Sequence, residues 1–286
     1  GGAALAARHS ALSADHLEYS SADGIAAMAA ATGLATPSQL SAQDLPSDEA
    51  GAVARLDASP RHGEWVTFPA GGGDEVTAWV VYPERSDAAP VVIVIHEIYG
   101  LTDWIRSVAD QLAAEGFIAI APDLLSGKGS DGGGSASMDR QGAVAAIRGL
   151  ERSEVNRRLE AAAAYATGLP AAGDQVGVVG FCWGGSSSFL LATAWDGLDA
   201  AVVYYGSSPA TETLSTISAP VLGLYGGDDN RVNATIPDAR QEMDRLGKTF
   251  EVEIYAGAGH GFLRNQPGQE GANMRATQAA WPRTVA

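Results

Sequence analysis

From residue 64 onward the chain alternates two kinds of pattern. Trp65–Phe68 and Val76–Tyr82 are short apolar-rich runs separated by Gly71-Gly72-Gly73-Asp74, and they predict two strands joined by a glycine-rich hairpin. Val91–Ile95, Phe117–Ala121, Val176–Val179, Ala200–Tyr205, Val221–Tyr225 and Phe250–Tyr255 predict further strands. Between them apolar residues recur at helical spacing, as in Trp104, Ile105, Val108 and Leu112, and helices are expected over 140–168, 186–194 and 236–246. The strand runs are continuously apolar rather than alternating. Such strands are buried on both faces, which predicts an α/β fold: a mostly parallel sheet with helices on both faces. In sheets of this kind ligands bind beyond the carboxyl ends of the strands.

Residues 1–60 break the pattern. They are rich in Ala, Ser, Asp and Gly, are punctuated by Pro37, Pro46 and Pro60, and read as an extension with one or two short helices, such as Ser38–Leu45. The catalytic candidate is then a single domain over 61–286. The first residues show no charged segment followed by an apolar run, so no intact secretory signal is expected, although one removed earlier would leave export open beside a cytoplasmic location. At the other end, ANMRATQAAWPRTVA reads as a helix that stops abruptly at Ala286, which suggests a trimmed terminus.

Composition narrows the function classes. With 286 residues, 46% hydrophobic, the chain is long enough to bury roughly three quarters of its unfolded surface without disulfides or metals. No apolar run is long enough to span a bilayer, so the reading is a soluble protein. A net charge of −16 argues against nucleic acid or an anionic membrane as partner. Oligomeric state is not legible.

The only cysteine, Cys182, lies in Gly180-Phe181-Cys182-Trp183-Gly184-Gly185, between a predicted strand and a predicted helix. This is the setting of a nucleophile elbow, with cysteine where hydrolases usually carry serine. A lone cysteine is more often a buried hydrophobe. Two later segments change that balance: Gly227-Asp228-Asp229-Asn230-Arg231-Val232 and Gly259-His260-Gly261-Phe262 follow successive predicted strands, giving the order nucleophile, acid, histidine. His260 is the expected base for the thiol and Asp229, favoured over Asp228 by the spacing G-x-x-D-x-x-V, the residue that orients it. Trp183 N–H, at the start of the helix, is an expected oxyanion donor. His96-Glu97-Ile98-Tyr99-Gly100 begins like a zinc motif, but its fifth residue is Gly and it ends a strand, so no metal is expected; Ile98 N–H is the candidate second oxyanion donor.

Taken together, GFCWGG, HEIYG, GGDDNRV and GHGF resemble the dienelactone hydrolase (carboxymethylenebutenolidase) family over residues 61–286. The resemblance implies an α/β-hydrolase fold, a Cys182–His260–Asp229 triad, no cofactor, and a small ester or lactone as substrate. It also implies that Glu97 holds Cys182 as a poorly reactive thiol until substrate binds, and that Arg264, four residues after His260, meets a substrate carboxylate. The family's second carboxylate-binding arginine is not matched; a Gly/Ser loop follows the strand ending Ala121-Pro122-Asp123, and only Arg140 is a stand-in. Tyr99, Trp104 and Phe262 are expected to line an apolar pocket together with Trp183. An acyltransferase or amide hydrolase on the same triad, and a non-catalytic binding module of this fold, are the alternatives.

Overall fold

The computed structural model describes residues 45–286. The chain divides into two compact units, residues 1–45 and 46–286, and the second is described below. Apart from Leu45, the short helix expected over 38–45 lies outside the described residues.

The eight expected strands are present. In chain order they are β1 (Gly63–Pro69), β2 (Glu75–Val81), β3 (Ala89–Ile95), β4 (Ile118–Pro122), β5 (Ala172–Phe181), β6 (Ala200–Tyr204), β7 (Val221–Gly226) and β8 (Phe250–Tyr255). They form one sheet in the order β1-β2-β4-β3-β5-β6-β7-β8. The hairpin pairs Gly63 with Val81 through Pro69 with Glu75, and β2 is antiparallel to β4; every other pairing is parallel. The helices are α1 (Ala52–Ala58), α2 (Asp103–Ala114), α3 (Arg140–Arg148), α4 (Arg152–Thr167), α5 (Trp183–Ala194), α6 (Asn230–Asn233), α7 (Ile236–Arg245) and α8 (Ala272–Val285).

The two-sided burial predicted from the apolar runs is visible in β3. Val91, Ile93 and Ile95 join one core cluster with Leu159 of α4, Phe189 of α5 and Met243 of α7. The intervening Val92 and Val94 are also buried, and with a period of two they point to the opposite face. Trp104, Ile105, Val108 and Leu112 of α2, with Ala276, Ala280 and Trp281 of α8, are buried outside that cluster.

Three local features place the site. The parallel order runs outward in both directions from β3 and β5, so the chain reverses there, the point at which α/β sheets open a crevice. Residues 46–60, read from composition as extension, belong to the second unit: Ser47 O accepts from Trp104 Nε1 at 3.1 Å and Pro46 O from Gln266 Nε2 at 2.8 Å. The Gly/Ser loop after β4 is tied down by buried Asp123, which accepts from Leu125 N at 3.0 Å, Ser135 N at 2.7 Å and Ser135 Oγ at 2.5 Å. Ser135 Oγ in turn accepts from Leu101 N at 2.9 Å, joining that loop to the segment after β3.

Candidate active site

Cys182 sits between β5 and α5 with φ 58° and ψ −113°, a conformation that L-residues avoid. Neighbouring backbone makes the turn possible. A Cβ at Gly180 would lie 2.0 Å from Gly184 O, and one at Gly184 would lie 2.4 Å from Ile95 O and 2.5 Å from His96 O. Only glycines let the first turn of α5 press against the end of β3. Cys182 N donates to Tyr204 O at 3.0 Å and Ser186 N donates to Cys182 O at 3.1 Å, so both strand and helix hold the bend. The helix begins at Trp183, earlier than the expected Ser186, because close packing there outweighs the poor helix propensity of Gly184 and Gly185. Trp183 N–H, at the first helical position, acts on the sulfur in the direction that favours thiolate.

His260 Nε2 is 3.0 Å from Cys182 Sγ, and its Nδ1 is 2.5 Å from Asp229 Oδ2. With Asp229 accepting at Nδ1, Nε2 is the nitrogen left to accept from the thiol. Asp229 is buried and caps α6 through Val232 N, whereas Asp228 is exposed; of the two competing carboxylates, Asp229 is the one on the histidine. The Tyr205 ring meets His260 edge to face at 5.1 Å.

The segment after β3 supplies the charged neighbours. Glu97, 4% exposed, forms an ion pair with Arg264, Oε2 to Nε 2.7 Å. Burial pushes the Glu97 carboxyl up to about 7, with Arg264 pulling the other way. Burial and then the Glu97 charge push the Cys182 thiol up to about 11, against the Trp183 N–H. The nucleophile candidate is thus a thiol at neutral pH. His96 Nδ1–H donates to Glu97 O at 2.8 Å and its Nε2 accepts from Leu124 N at 3.2 Å, so both ring nitrogens are engaged in holding this turn. The ring stacks on Trp183 at 5.8 Å. Ile98 and Trp183, whose N–H groups are the two expected oxyanion donors, pack against the same cluster of Leu125, Ala143 and Ile147.

The expected pocket residues divide. Tyr99 is at the site: Arg140 lies over its ring at 3.8 Å and Arg264 at 5.7 Å. Trp104 and Phe262 are not pocket-lining. Trp104 is buried against Phe181 with its N–H spent on Ser47 O, and Phe262 is buried among Tyr204, Tyr205 and Tyr255. Both point into the core beneath the site because that is where unpaired apolar area is. Sequence reasoning missed Tyr205 and Glu49. Tyr205 is the last residue of a predicted strand, at the edge where ligands bind, which is a usable signal; Glu49 carries none.

A strand-to-helix thiol, an imidazole and a buried carboxylate stand at hydrogen-bonding distance, an arrangement that can act as a nucleophile with its base and orienting acid. The sequence pattern of the Dienelactone hydrolase family matches residues 76–286, which include all of these groups. The chain belongs to the dienelactone hydrolase family. A provisionally named carboxymethylenebutenolidase of Salmonella typhimurium is 33% identical over 227 residues, covering 74% of this chain and 82% of that protein. One from Saccharolobus solfataricus is 32% identical over 242 residues, covering 74% and 92%. Among solved structures, a provisionally named dienelactone hydrolase from Klebsiella pneumoniae superposes with a TM-score of 0.67 at 28% identity, covering 78% of this chain and 98% of that one. A dienelactone hydrolase-like promiscuous phosphotriesterase from metagenomic libraries does so with 0.67 at 25% identity, covering 79% and 97%. The α/β-hydrolase fold expected from the resemblance is the fold observed.

Proposed function

We propose that this family member hydrolyses small esters or lactones through an acyl-enzyme on Cys182. The carrying observation is the continuous chain from Cys182 Sγ to His260 Nε2 and from Nδ1 to Asp229. His260 takes the thiol proton as sulfur attacks the substrate carbonyl, forming the C–S bond. Trp183 N–H and Ile98 N–H stabilise the oxyanion. The tetrahedral intermediate collapses with loss of alkoxide, which receives that proton from imidazolium. A water molecule, deprotonated by His260, then attacks the thioester, releasing the carboxylic acid and restoring the thiol.

Glu97 sets the resting state. Its charge beside the sulfur disfavours thiolate until substrate is in place, which limits oxidation between turnovers. Arg264 holds Glu97 and, with Tyr99, faces the substrate side. The test is turnover of 4-nitrophenyl acetate with intact-mass detection of an acetyl adduct. Wild type is expected to turn over and Cys182→Ala to lose both activity and adduct; equal rates in the two proteins would sink the mechanism.

A further inference from the structure

Arg264 does not face an empty site. Its Nη1 is 2.6 Å from Glu49 Oε2, and Arg140 Nη2 is 3.7 Å from Glu49 Oε1. Glu49 comes from the strap ahead of α1, and its own N–H donates to Arg264 O at 2.9 Å, so backbone as well as side chain fixes it there. Next to it, a hollow of 280 Å³ is lined by Glu49, Tyr99, Arg140 and Asp139 among others. The two guanidiniums thus confront Glu97 and Glu49, with Asp139 on the hollow's wall, so both already face carboxylates.

We propose that Glu49 is a specificity-determining residue. It occupies, from within the chain, the guanidinium position that a substrate carboxylate would take, and so biases the site toward substrates that are neutral there. This rests on the proposed hydrolase reading for the word substrate, but the charge arrangement itself does not. An incoming carboxylate must displace Glu49 from Arg264 or share the cation with it, and both options weaken its binding. Because the Glu49 pairs are half-exposed, the discrimination is modest.

The test reads binding apart from turnover. Isothermal titration of full-length wild type, E49Q and E49Q/R264Q with benzoate and with benzamide at low ionic strength separates charge from shape. E49Q is expected to bind benzoate about fivefold more tightly than wild type, with benzamide affinity unchanged and the gain abolished in E49Q/R264Q. The kcat/KM ratio for 4-acetoxybenzoate over its methyl ester is expected to rise in the same sense in E49Q. No gain in benzoate affinity in E49Q, or a gain that persists in E49Q/R264Q, overturns the proposal. If Cys182→Ala proves as active as wild type while the benzoate gain is present, the hydrolytic mechanism fails and the role of Glu49 stands.

Discussion

At the level of single residues, the site is governed by how two acids, the buried Glu97 and the half-buried Cys182, share a small space. Glu97 is held near 7 by burial, and its charge helps hold Cys182 near 11. Replacing Glu97 by the neutral isostere removes the like charge beside the sulfur, so the thiol of Glu97→Gln is expected to ionise at lower pH, by about one unit. The iodoacetamide alkylation rate of Cys182 against pH measures this, and an unmoved profile would mean that Glu97 does not act on the sulfur. The same burial has a stability consequence. A carboxyl whose folded pKa is raised contributes its stability in full below its ordinary value of 4.5, and that contribution is lost as pH rises through 7. Gln mimics the protonated form, so Glu97→Gln is expected to be more stable than wild type at pH 8 by about 1 to 3 kcal/mol and nearly equal at pH 4, as read by urea unfolding. Residues of this kind differ in how visible they are beforehand. Cys182, Asp229 and His260 were legible because each requires particular small neighbours at strand ends. Glu49 was not, because its partner Arg264 is 215 positions away and nothing local marks it. Trp104 and Phe262 were misplaced because adjacency to a motif does not say which face of the backbone a ring takes.

Among elements, the decisive contact is the start of α5 against the end of β3. Gly184 has no room for a methyl group, since the obstructing atoms are the carbonyls of Ile95 and His96 and not a side chain that could turn away. Gly184→Ala must separate the two segments that carry the expected oxyanion donors. It is expected to cost about 3 kcal/mol in denaturant unfolding and to lower kcat by more than the change in folded fraction explains. An alanine variant of unchanged stability and kcat would show that this approach is not needed. The strands themselves were readable from continuous apolar runs, but their order was not. β4 lies between β2 and β3, and that insertion depends on which pairings bury the most surface across the whole sheet. The early start of α5 was hidden for a related reason: tertiary packing overrode the local propensity of two glycines.

For the molecule as a whole, the strap of residues 46–61 ties a segment outside the sheet to the chemistry at its carboxyl edge. One end presents Glu49 to Arg264, and the other is fastened to α2 through Asp110, which is buried. Asp110 accepts from Arg61 at 2.6 and 3.0 Å, pairs with Arg55 at 3.5 Å and accepts from Ser59 Oγ. The composition of residues 46–60 resembles that of the preceding residues, so sequence patterning assigns them to the extension; beyond the buried Ala52, the attachment rests on single long-range polar contacts that leave no periodic trace. Removing the shared carboxylate leaves Arg61, mostly buried, without this partner, and Asp110→Ala is expected to lower unfolding stability by about 3 kcal/mol. Asp110 belongs to the anchoring of the strap and not to the site, so the fastening at Ser47 and Pro46 remains while the α1 end is loosened. Glu49 then holds Arg264 less tightly, and benzoate affinity in Asp110→Ala is expected to fall between those of wild type and E49Q. Calorimetry on folded Asp110→Ala protein checks this, and an affinity equal to wild type despite the lost stability would show that Glu49 is positioned by its own backbone contact to Arg264 alone.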